Sequence, residues 1–128
     1  MLYIGICDDE KYFLSEEKEI IIKYMKKRDC PCQIDTFDSG TTFIDSGANV
    51  PYDILFLDID LGDVKGFEIG KQIRDELKNN KIQIVYISGD TSYAMELFNT
   101  RPFDFVVKPV EKKKLFKMLD TYFSIFSG

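Results

Sequence analysis

Five polar residues, each at the end of a short apolar run, are the groups in this sequence that could carry chemistry. Three are carboxylates, one is a hydroxyl and one is an amine: Asp8, Asp9, Asp58, Ser88 and Lys108. Carboxylates brought together repel one another, and a hard divalent cation with oxygen ligands is the usual remedy. A carboxylate beside such a cation can attack phosphorus, while a lysine neutralises charge and a hydroxyl donates a hydrogen bond. The set predicts phosphoryl-group chemistry with Mg²⁺ as cofactor.

The composition removes several other kinds of chemistry. The chain has no histidine, so imidazole cannot serve as a base, a metal ligand or a phosphate carrier. Its cysteines are odd in number, and Cys30 and Cys32 are separated only by Pro31, which is neither the redox nor the zinc CxxC spacing. We therefore expect reduced thiols, with Cys7 as a small apolar residue of a strand.

Charge and hydropathy predict where the protein acts. Acidic residues outnumber basic ones by 22 to 17, and Lys and Arg are scattered, so we expect no direct nucleic-acid contact by this segment. The chain opens directly into an apolar strand pattern without a signal-peptide n-region, and no apolar run approaches the ~20 residues that span a bilayer. These patterns predict a cytoplasmic protein without membrane contact.

Strand-like and helix-like segments alternate along the chain. Short apolar or alternating runs predict strands, and apolar residues at helical offsets predict the helices between them. In chain order the predicted elements are β1 (2–7), α1 (13–25), β2 (33–37), α2 (41–45), β3 (52–58), α3 (66–77), β4 (82–88), α4 (93–98), β5 (103–107) and α5 (115–126). The alternation predicts an α/β fold, a doubly wound five-stranded parallel sheet with helices on both faces.

This fold would bring the five polar residues to one place. A chain of 128 residues, 45% of them hydrophobic, is the size of one domain with a real core. In open parallel sheets the ligand lies beyond the carboxyl ends of the strands, which is where all five residues fall. If β1, β3, β4 and β5 are near neighbours, the three carboxylates, the hydroxyl and the ammonium converge on a single cleft.

Four short motifs at those strand ends resemble the motif set of response-regulator receiver domains. They are Ile6-Cys7-Asp8-Asp9-Glu10, Leu55-Phe56-Leu57-Asp58-Ile59, Tyr86-Ile87-Ser88-Gly89 and Val107-Lys108-Pro109, in the order and spacing of the family. Each motif alone is weak, but four in register at four strand ends form a specific signal. The resemblance covers essentially the whole chain. It implies one receiver domain over residues 1–128, with the flavodoxin-like strand order 2-1-3-4-5.

Within that family, the sequence is most similar to receivers of the LytTR-type DNA-binding response regulators. The similarity lies in the spacing from Ser88 to Lys108 and in the run Tyr93-Ala94-Met95-Glu96-Leu97-Phe98. No such DNA-binding domain precedes the final Ser127-Gly128. We expect either a stand-alone receiver or a truncated piece of a longer regulator with a C-terminal output domain.

The resemblance implies a role for each site residue. Asp58 would be the phosphoacceptor, and Lys108 would contact the phosphoryl oxygens. The Mg²⁺ site would consist of Asp8, Asp9, Asp58 and the backbone carbonyl of Asp60. The bond between Lys108 and Pro109 would be a cis peptide.

The resemblance also implies how the protein would signal. A sensor histidine kinase would donate the phosphoryl group, the Ser88 hydroxyl would move toward it, and Phe105 would swing inward. The α4-β5-α5 surface would then control an output such as transcription and could form a homodimer, with Phe116, Phe123 and Phe126 either as ordinary packing or as dimer surface. Such a protein is a switch and not an enzyme, and catalyses at most its own phosphorylation and dephosphorylation.

The segment after Asp58 departs from the family pattern. Leu61-Gly62-Asp63 stands where Met-Pro-Gly is usual, and Lys65 stands where an acidic residue is common. Because glycine gives the backbone more freedom than proline, we expect a looser loop, with altered metal affinity or phosphoryl lifetime rather than lost function.

Other interpretations of these residues remain open. Leu57-Asp58-Ile59-Asp60 resembles the start of the haloacid-dehalogenase-like phosphatase motif, with Asp60 as acid/base, although Gly62 replaces its Thr or Val. A receiver-like interaction module that never becomes phosphorylated is another alternative, which the full acid set disfavours. Taken singly, Asp8 and Asp9 also fit a helix N-terminus, Lys108 a solvated turn and Phe105 the core.

Overall fold

The computed structural model describes residues 1–92 and 94–126, apart from the side chain of Ala94, as alternating strands and helices. The elements are β1 (Leu2–Cys7), α1 (Lys11–Arg28), β2 (Cys32–Phe37), α2 (Gly40–Ser46), β3 (Ile54–Asp58), α3 (Gly66–Lys71) with a following π-helical turn (Gln72–Glu76), β4 (Gln83–Ser88), α4 (Ala94–Phe98), β5 (Asp104–Val107) and α5 (Lys112–Phe126). Every predicted element is present, with boundaries displaced by a few residues. Tyr93, predicted as the first residue of α4, lies outside the described residues.

The five strands form one parallel sheet in the order β2-β1-β3-β4-β5, which confirms the predicted fold. The register sets the carboxyl ends of neighbouring strands side by side. Asp58 at the end of β3 lies opposite Ile87, and Ser88 at the end of β4 lies opposite Val107. The strand ends therefore place the predicted site residues along one edge of the sheet.

Two apolar cores lie on opposite faces of the sheet because side chains alternate along each strand. One face packs against α1 and α5 through residues such as Ile21, Met25 and Leu119. The other face packs against α2, α3 and α4 through Phe43, Ile69 and Leu97. Since β3 is buried on both faces, its run of apolar residues carries no alternation.

Aromatic side chains join α1 to α5. The Tyr24 ring lies 5.2 Å from that of Phe116 and 6.0 Å from that of Phe123, centroid to centroid. Phe123 is buried, and the Arg28 guanidinium lies 4.0 Å from its ring centroid. The sequence leaves open whether these aromatic residues pack within the domain or form a dimer surface. Phe116 and Phe123 pack within the chain.

The end of α3 differs from the regular helix that the sequence predicts. Ile73 is buried as expected, but Leu77 follows the π-helical turn and is 37% exposed. A π-helical turn holds more residues than an α-helical one, so it rotates the residues after it away from the apolar stripe. The helical spacing of Gly66, Gly70, Ile73 and Leu77 predicts one stripe facing the sheet, and the π-helical turn moves Leu77 off that stripe.

Within residues 1–92 and 94–126, the structure contains no helix with the length and apolar character needed to cross a membrane.

Candidate functional site

The predicted site residues lie in one cleft at the carboxyl edge of the sheet. Asp8, Asp58 and Ser88 are almost fully buried at the ends of β1, β3 and β4. The cleft has a volume of about 480 Å³ and is lined by Asp9, Glu10, Asp58, Asp60, Gly62, Ser88, Gly89, Asp90 and Lys108. The register of the sheet therefore brings together residues as distant in the chain as Asp8 and Lys108.

Lys108 links the two buried carboxylates. Its Nζ lies 3.3 Å from Asp8 Oδ2 and 3.4 Å from Asp58 Oδ2, and 3.7 Å from Glu10 Oε1 at the rim. The peptide bond to Pro109 is cis, as predicted. Burial alone would lower the pKa of Lys108, but the charges of Asp58 and Asp8 raise it, so the side chain stays an ammonium.

The carboxylates of the cleft are crowded. Burial and the neighbouring Asp8 charge raise the pKa of Asp58 to about 7, against the lowering effect of Lys108. Burial and Asp8 likewise raise the pKa of Asp9. One ammonium therefore does not balance the negative charge of the cleft, and a further positive charge would stabilise it.

The donor set fits a divalent cation. Asp8, Asp9 and Glu10 each offer a carboxylate oxygen, and these oxygens lie within 4.8 Å of one another. Asp8 Oδ2 is buried and accepts no hydrogen bond from the described residues, although Lys108 Nζ is near it. All of these donors are oxygens, which is what Mg²⁺ prefers. Glu10, which the sequence analysis did not single out, belongs to this set.

Asp60 lies beside Asp58 at the rim of the cleft. Its backbone N–H donates to Asp58 Oδ1 at 3.3 Å, and its side chain is 70% exposed and pairs with Lys65 at 3.4 Å. A carboxylate in that position is poorly placed for the buried acid/base role that the phosphatase alternative requires. The predicted metal role falls on the Asp60 backbone carbonyl and does not depend on this side chain.

The segment between β3 and α3 makes contacts that the sequence did not reveal. Leu61 is buried, and the Asp63 carboxylate accepts hydrogen bonds from the start of α2. Gly66 packs so closely that a Cβ there would lie 2.3 Å from the Asp58 carbonyl oxygen. Without the proline, the sequence predicts a more flexible loop. Contacts of Leu61, Asp63 and Gly66 restrict that flexibility.

Ser88 and Phe105 occupy different surroundings. Ser88 Oγ accepts a hydrogen bond from the Asp90 N–H at 3.0 Å, and the residue lines the cleft. Phe105 is half-buried, lies opposite Tyr86 in the sheet, and packs on the face that carries α2, α3 and α4. The switch role of these two residues stays a prediction.

Two residues near the cleft, Glu17 and Phe13, were not predicted from the sequence to belong to the site. Glu17 of α1 is 1% exposed, and burial together with the charge of Asp8 raises its pKa to about 9. The Phe13 ring lies 4.3 Å from Lys108 Nζ, so it contributes a cation–π contact. Glu17 interrupts an apolar stripe that includes Phe13, Ile21 and Tyr24, and this interruption was the available signal.

The sequence matches one family model over most of its length. That model describes the response regulator receiver domain and matches residues 4–120. The sensory transduction protein LytT of Bacillus cereus is 30% identical over 129 aligned positions, which cover 95% of this chain and 47% of that protein. The LytT of Oceanobacillus iheyensis is 25% identical over 120 positions, covering 88% and 44%. The chain therefore spans about half the length of these curated relatives.

Solved structures share the fold. The response regulatory domain of protein mrkE from Klebsiella pneumoniae matches with a TM-score of 0.84 at 23% identity, covering 98% of each chain. The response regulator TrrA from Thermotoga maritima, solved in complex with Mg²⁺-BeF, matches with a TM-score of 0.77 at 23% identity, covering 94% of this chain and 98% of that one. The family match and the LytT relatives do not favour the phosphatase or the unphosphorylated-module alternative.

Proposed function

The chain belongs to the response regulator receiver domain family, and from that membership we propose that it is a phosphorylation switch with Asp58 as its phosphoacceptor. Members of the family are in general phosphoacceptor switches and not enzymes. The observation that carries the proposal is the position of Asp58, which lies almost buried in the cleft with Lys108 Nζ 3.4 Å from its Oδ2.

The proposed reaction is the transfer of a phosphoryl group from a phosphohistidine of a sensor histidine kinase. An Asp58 carboxylate oxygen attacks phosphorus and forms a P–O bond, while the P–N bond to the donor imidazole breaks. The imidazole nitrogen keeps the bonding electron pair and takes a proton from solvent. The product is an aspartyl phosphate, which adds negative charge to the cleft.

Lys108 and Ser88 would position the transferred group. The Lys108 ammonium pairs with the Asp58 carboxylate. Because its side chain is flexible, it can move to pair with a phosphoryl oxygen after transfer. The Ser88 hydroxyl lines the same cleft and can donate a hydrogen bond to another oxygen. Both act on charge that spreads over the phosphoryl oxygens during transfer.

Mg²⁺ is the proposed cofactor. Asp8, Asp9, Asp58 and the Asp60 carbonyl are the proposed ligands, and Glu10 lies close enough to Asp8 and Asp9 to add a carboxylate. When bound, the ion supplies the positive charge that the crowded carboxylates and the phosphoryl oxygens need. The Mg²⁺-BeF complex of a receiver with the same fold supports this choice of cation.

The proposed response spreads from the cleft to the surface formed by α4, β5 and α5. Ser88 and Phe105 would change position on phosphorylation, and this surface would then control an output such as transcription, directly or through a homodimer. The relatives about twice as long as this chain support an output domain in the whole protein. Residues 1–128 are the proposed receiver part.

Phosphate incorporation tests the proposal. Purified protein is incubated with acetyl phosphate and Mg²⁺, and its intact mass is compared with those of Asp58→Ala and of Asp45→Ala, which removes an exposed acid of α2. We expect wild type and Asp45→Ala to gain the mass of one phosphoryl group, and Asp58→Ala to gain none. Equal gain by Asp58→Ala would contradict the assignment.

A further inference from the structure

The segment between β3 and α3 carries the Asp60 carbonyl and is closed on itself at its base. The Gly66 N–H donates to the Ile59 carbonyl at 2.6 Å, and the Ile59 N–H donates to the Ile87 carbonyl at 3.3 Å. Asp60 and Lys65 pair as an isolated antiparallel bridge above this base. The segment is therefore a small closed loop whose two ends are bonded to each other and whose first end is bonded to β4.

The tip of this loop is fixed separately, through Asp63. Its carboxylate accepts three hydrogen bonds: from the Gly40 N–H at 3.1 Å, from the Thr41 N–H at 3.0 Å and from Thr41 Oγ1 at 2.6 Å. These three bonds lower the pKa of Asp63 to about 2, and the two from Thr41 have the largest effect. The carboxylate is thus an anion held against the first residues of α2.

This contact completes the N-terminus of α2. The first N–H groups of a helix have no partner within the helix. Here Gly40 and Thr41 donate to Asp63, and the Thr42 N–H donates to Ser39 Oγ at 3.0 Å. One side chain from another part of the fold therefore supplies two of the caps that order this seven-residue helix.

The tip of the loop also lies near Asp9 of the acidic pair. Gly62 has a φ of 82°, and a Cβ built there would lie 3.6 Å from Asp9 Oδ2. Its neighbour Leu61 is 2% exposed in the core beneath. If Asp63 changed position, Leu61 could not move with it without losing its packing in the core. The displacement would therefore fall on Gly62 and Asp60, which line the cleft.

We infer that Asp63 is a positioning residue for the cation site, and that it couples the order of the first turn of α2 to cation binding. The inference rests on the proposed function, because it takes the Asp60 carbonyl and Asp9 as ligands. Coupling of this kind is reciprocal. If the clamped loop favours the cation, then the cation must stabilise the Asp63 contacts with Gly40 and Thr41 by the same free energy.

Calorimetric titration with Mg²⁺ tests the first half of the inference. Asp63→Ala is expected to weaken Mg²⁺ binding by about 5- to 20-fold. Asp63→Asn keeps one acceptor oxygen, which can serve the two Thr41 bonds but not the Gly40 N–H, and should recover part of the affinity. Thr41→Val removes one of the three bonds and should lose less than Asp63→Ala. Asp45→Ala, the exposed acid on α2, should bind as wild type does.

Amide hydrogen exchange tests the second half. In wild type, Mg²⁺ should slow exchange at Gly40 and Thr41, and in Asp63→Ala that Mg²⁺-dependent slowing should disappear. A merely structural role of Asp63 would change exchange equally with and without Mg²⁺. Circular dichroism checks that each variant is folded. If Asp63→Ala does not fold, the same exchange measurement is made on Thr41→Val, which removes one of the three bonds to Asp63.

The inference is overturned if Asp63→Ala binds Mg²⁺ as tightly as wild type, or if Asp63→Asn loses as much affinity as Asp63→Ala. Absence of Mg²⁺-dependent slowing at α2 in wild type, or of Mg²⁺ binding altogether, overturns it as well. Failure of the proposed function has a different signature, since it appears as phosphate gain by Asp58→Ala while the calorimetric ranking of the Asp63 variants stands.

Discussion

The two loops that flank the cleft are held in different ways. The loop between β3 and α3 is fixed by contacts with three other parts of the fold: the end of β4, the apolar core and α2. In the described part of the loop between β4 and α4, the hydrogen bonds are local, such as Ser92 N–H to Asp90 Oδ1 at 2.8 Å. Among the described residues, hydrogen bonds join the β3–α3 loop, one wall of the cleft, to other parts of the fold, whereas those of the β4–α4 loop, the other wall, are local.

The helix after the second loop continues the contrast. Among the α4 side chains that the structure describes, Leu97 is buried, whereas Met95 is 82% and Phe98 is 78% exposed. The end of this segment is held by the Arg74 guanidinium, which donates to the Thr100 carbonyl at 2.8 Å. Because most of the described α4 side chains are exposed, we expect this side of the cleft to change position at lower cost than the β3–α3 loop, and a response to phosphorylation to begin there.

The largest expected effect breaks the fixed wall. Gly66→Ala would place a Cβ 2.3 Å from the Asp58 carbonyl oxygen and 2.9 Å from the Ile59 Cα, and backbone atoms cannot move aside cheaply. We expect a loss of about 3 kcal/mol in the free energy of unfolding, measured by urea denaturation. Gly89→Ala on the other wall is the matched control, because among the described residues its Cβ would meet only Lys108 Cβ, at 4.0 Å. Equal losses in the two variants would contradict the contrast.

A smaller effect is expected from the α4 wall. Leu97→Ala removes the buried side chain of α4 and should lower the free energy of unfolding by about 2 kcal/mol. This is near the lower end for core leucines, because the helix can move to fill part of the cavity. Met95→Ala should stay within about 0.5 kcal/mol of wild type, since that side chain is exposed. Urea denaturation of both proteins measures the difference. A large loss on Met95→Ala would mean that α4 is anchored more broadly than its exposure indicates.

The smallest effect concerns the pH dependence of the Asp63 contact. Its folded pKa of about 2 lies below the ordinary value of 3.8, so the contact stabilises the fold above about pH 4 and is lost as the pH falls through the folded pKa. Asp63→Asn does not titrate. The gap between its urea midpoint and that of wild type should therefore narrow between about pH 6 and about pH 3. A gap that stays constant over that range would argue against the anionic contact.

Much of the architecture could be predicted because it depends on local periodicity. Apolar runs and helical offsets gave the strand and helix order, and parallel strands must gather their carboxyl ends at one edge. Asp8, Asp58, Ser88 and Lys108 came together for that reason alone. The resemblance to a known family then added the cis bond before Pro109, which no pattern of hydropathy contains.

The features that could not be predicted depend on contacts between distant segments or on small geometric changes. The Asp63 contact joins residues 22 positions apart and leaves no periodic trace. Leu77 left its stripe because a single π-helical turn changed the helix phase. The place of Glu17 in an apolar stripe was a weak signal, but its burial and its interaction with the Asp8 charge depend on tertiary packing.

Identifying the phosphorylated residue distinguishes Asp58 from the other aspartates of the cleft. Protein treated with acetyl phosphate and Mg²⁺ is reduced with borohydride, which converts an aspartyl phosphate to homoserine, and its peptides are sequenced by tandem mass spectrometry. We predict homoserine at position 58 and at no other aspartate. Homoserine at position 8, 9 or 60 in place of 58 would contradict the central claim.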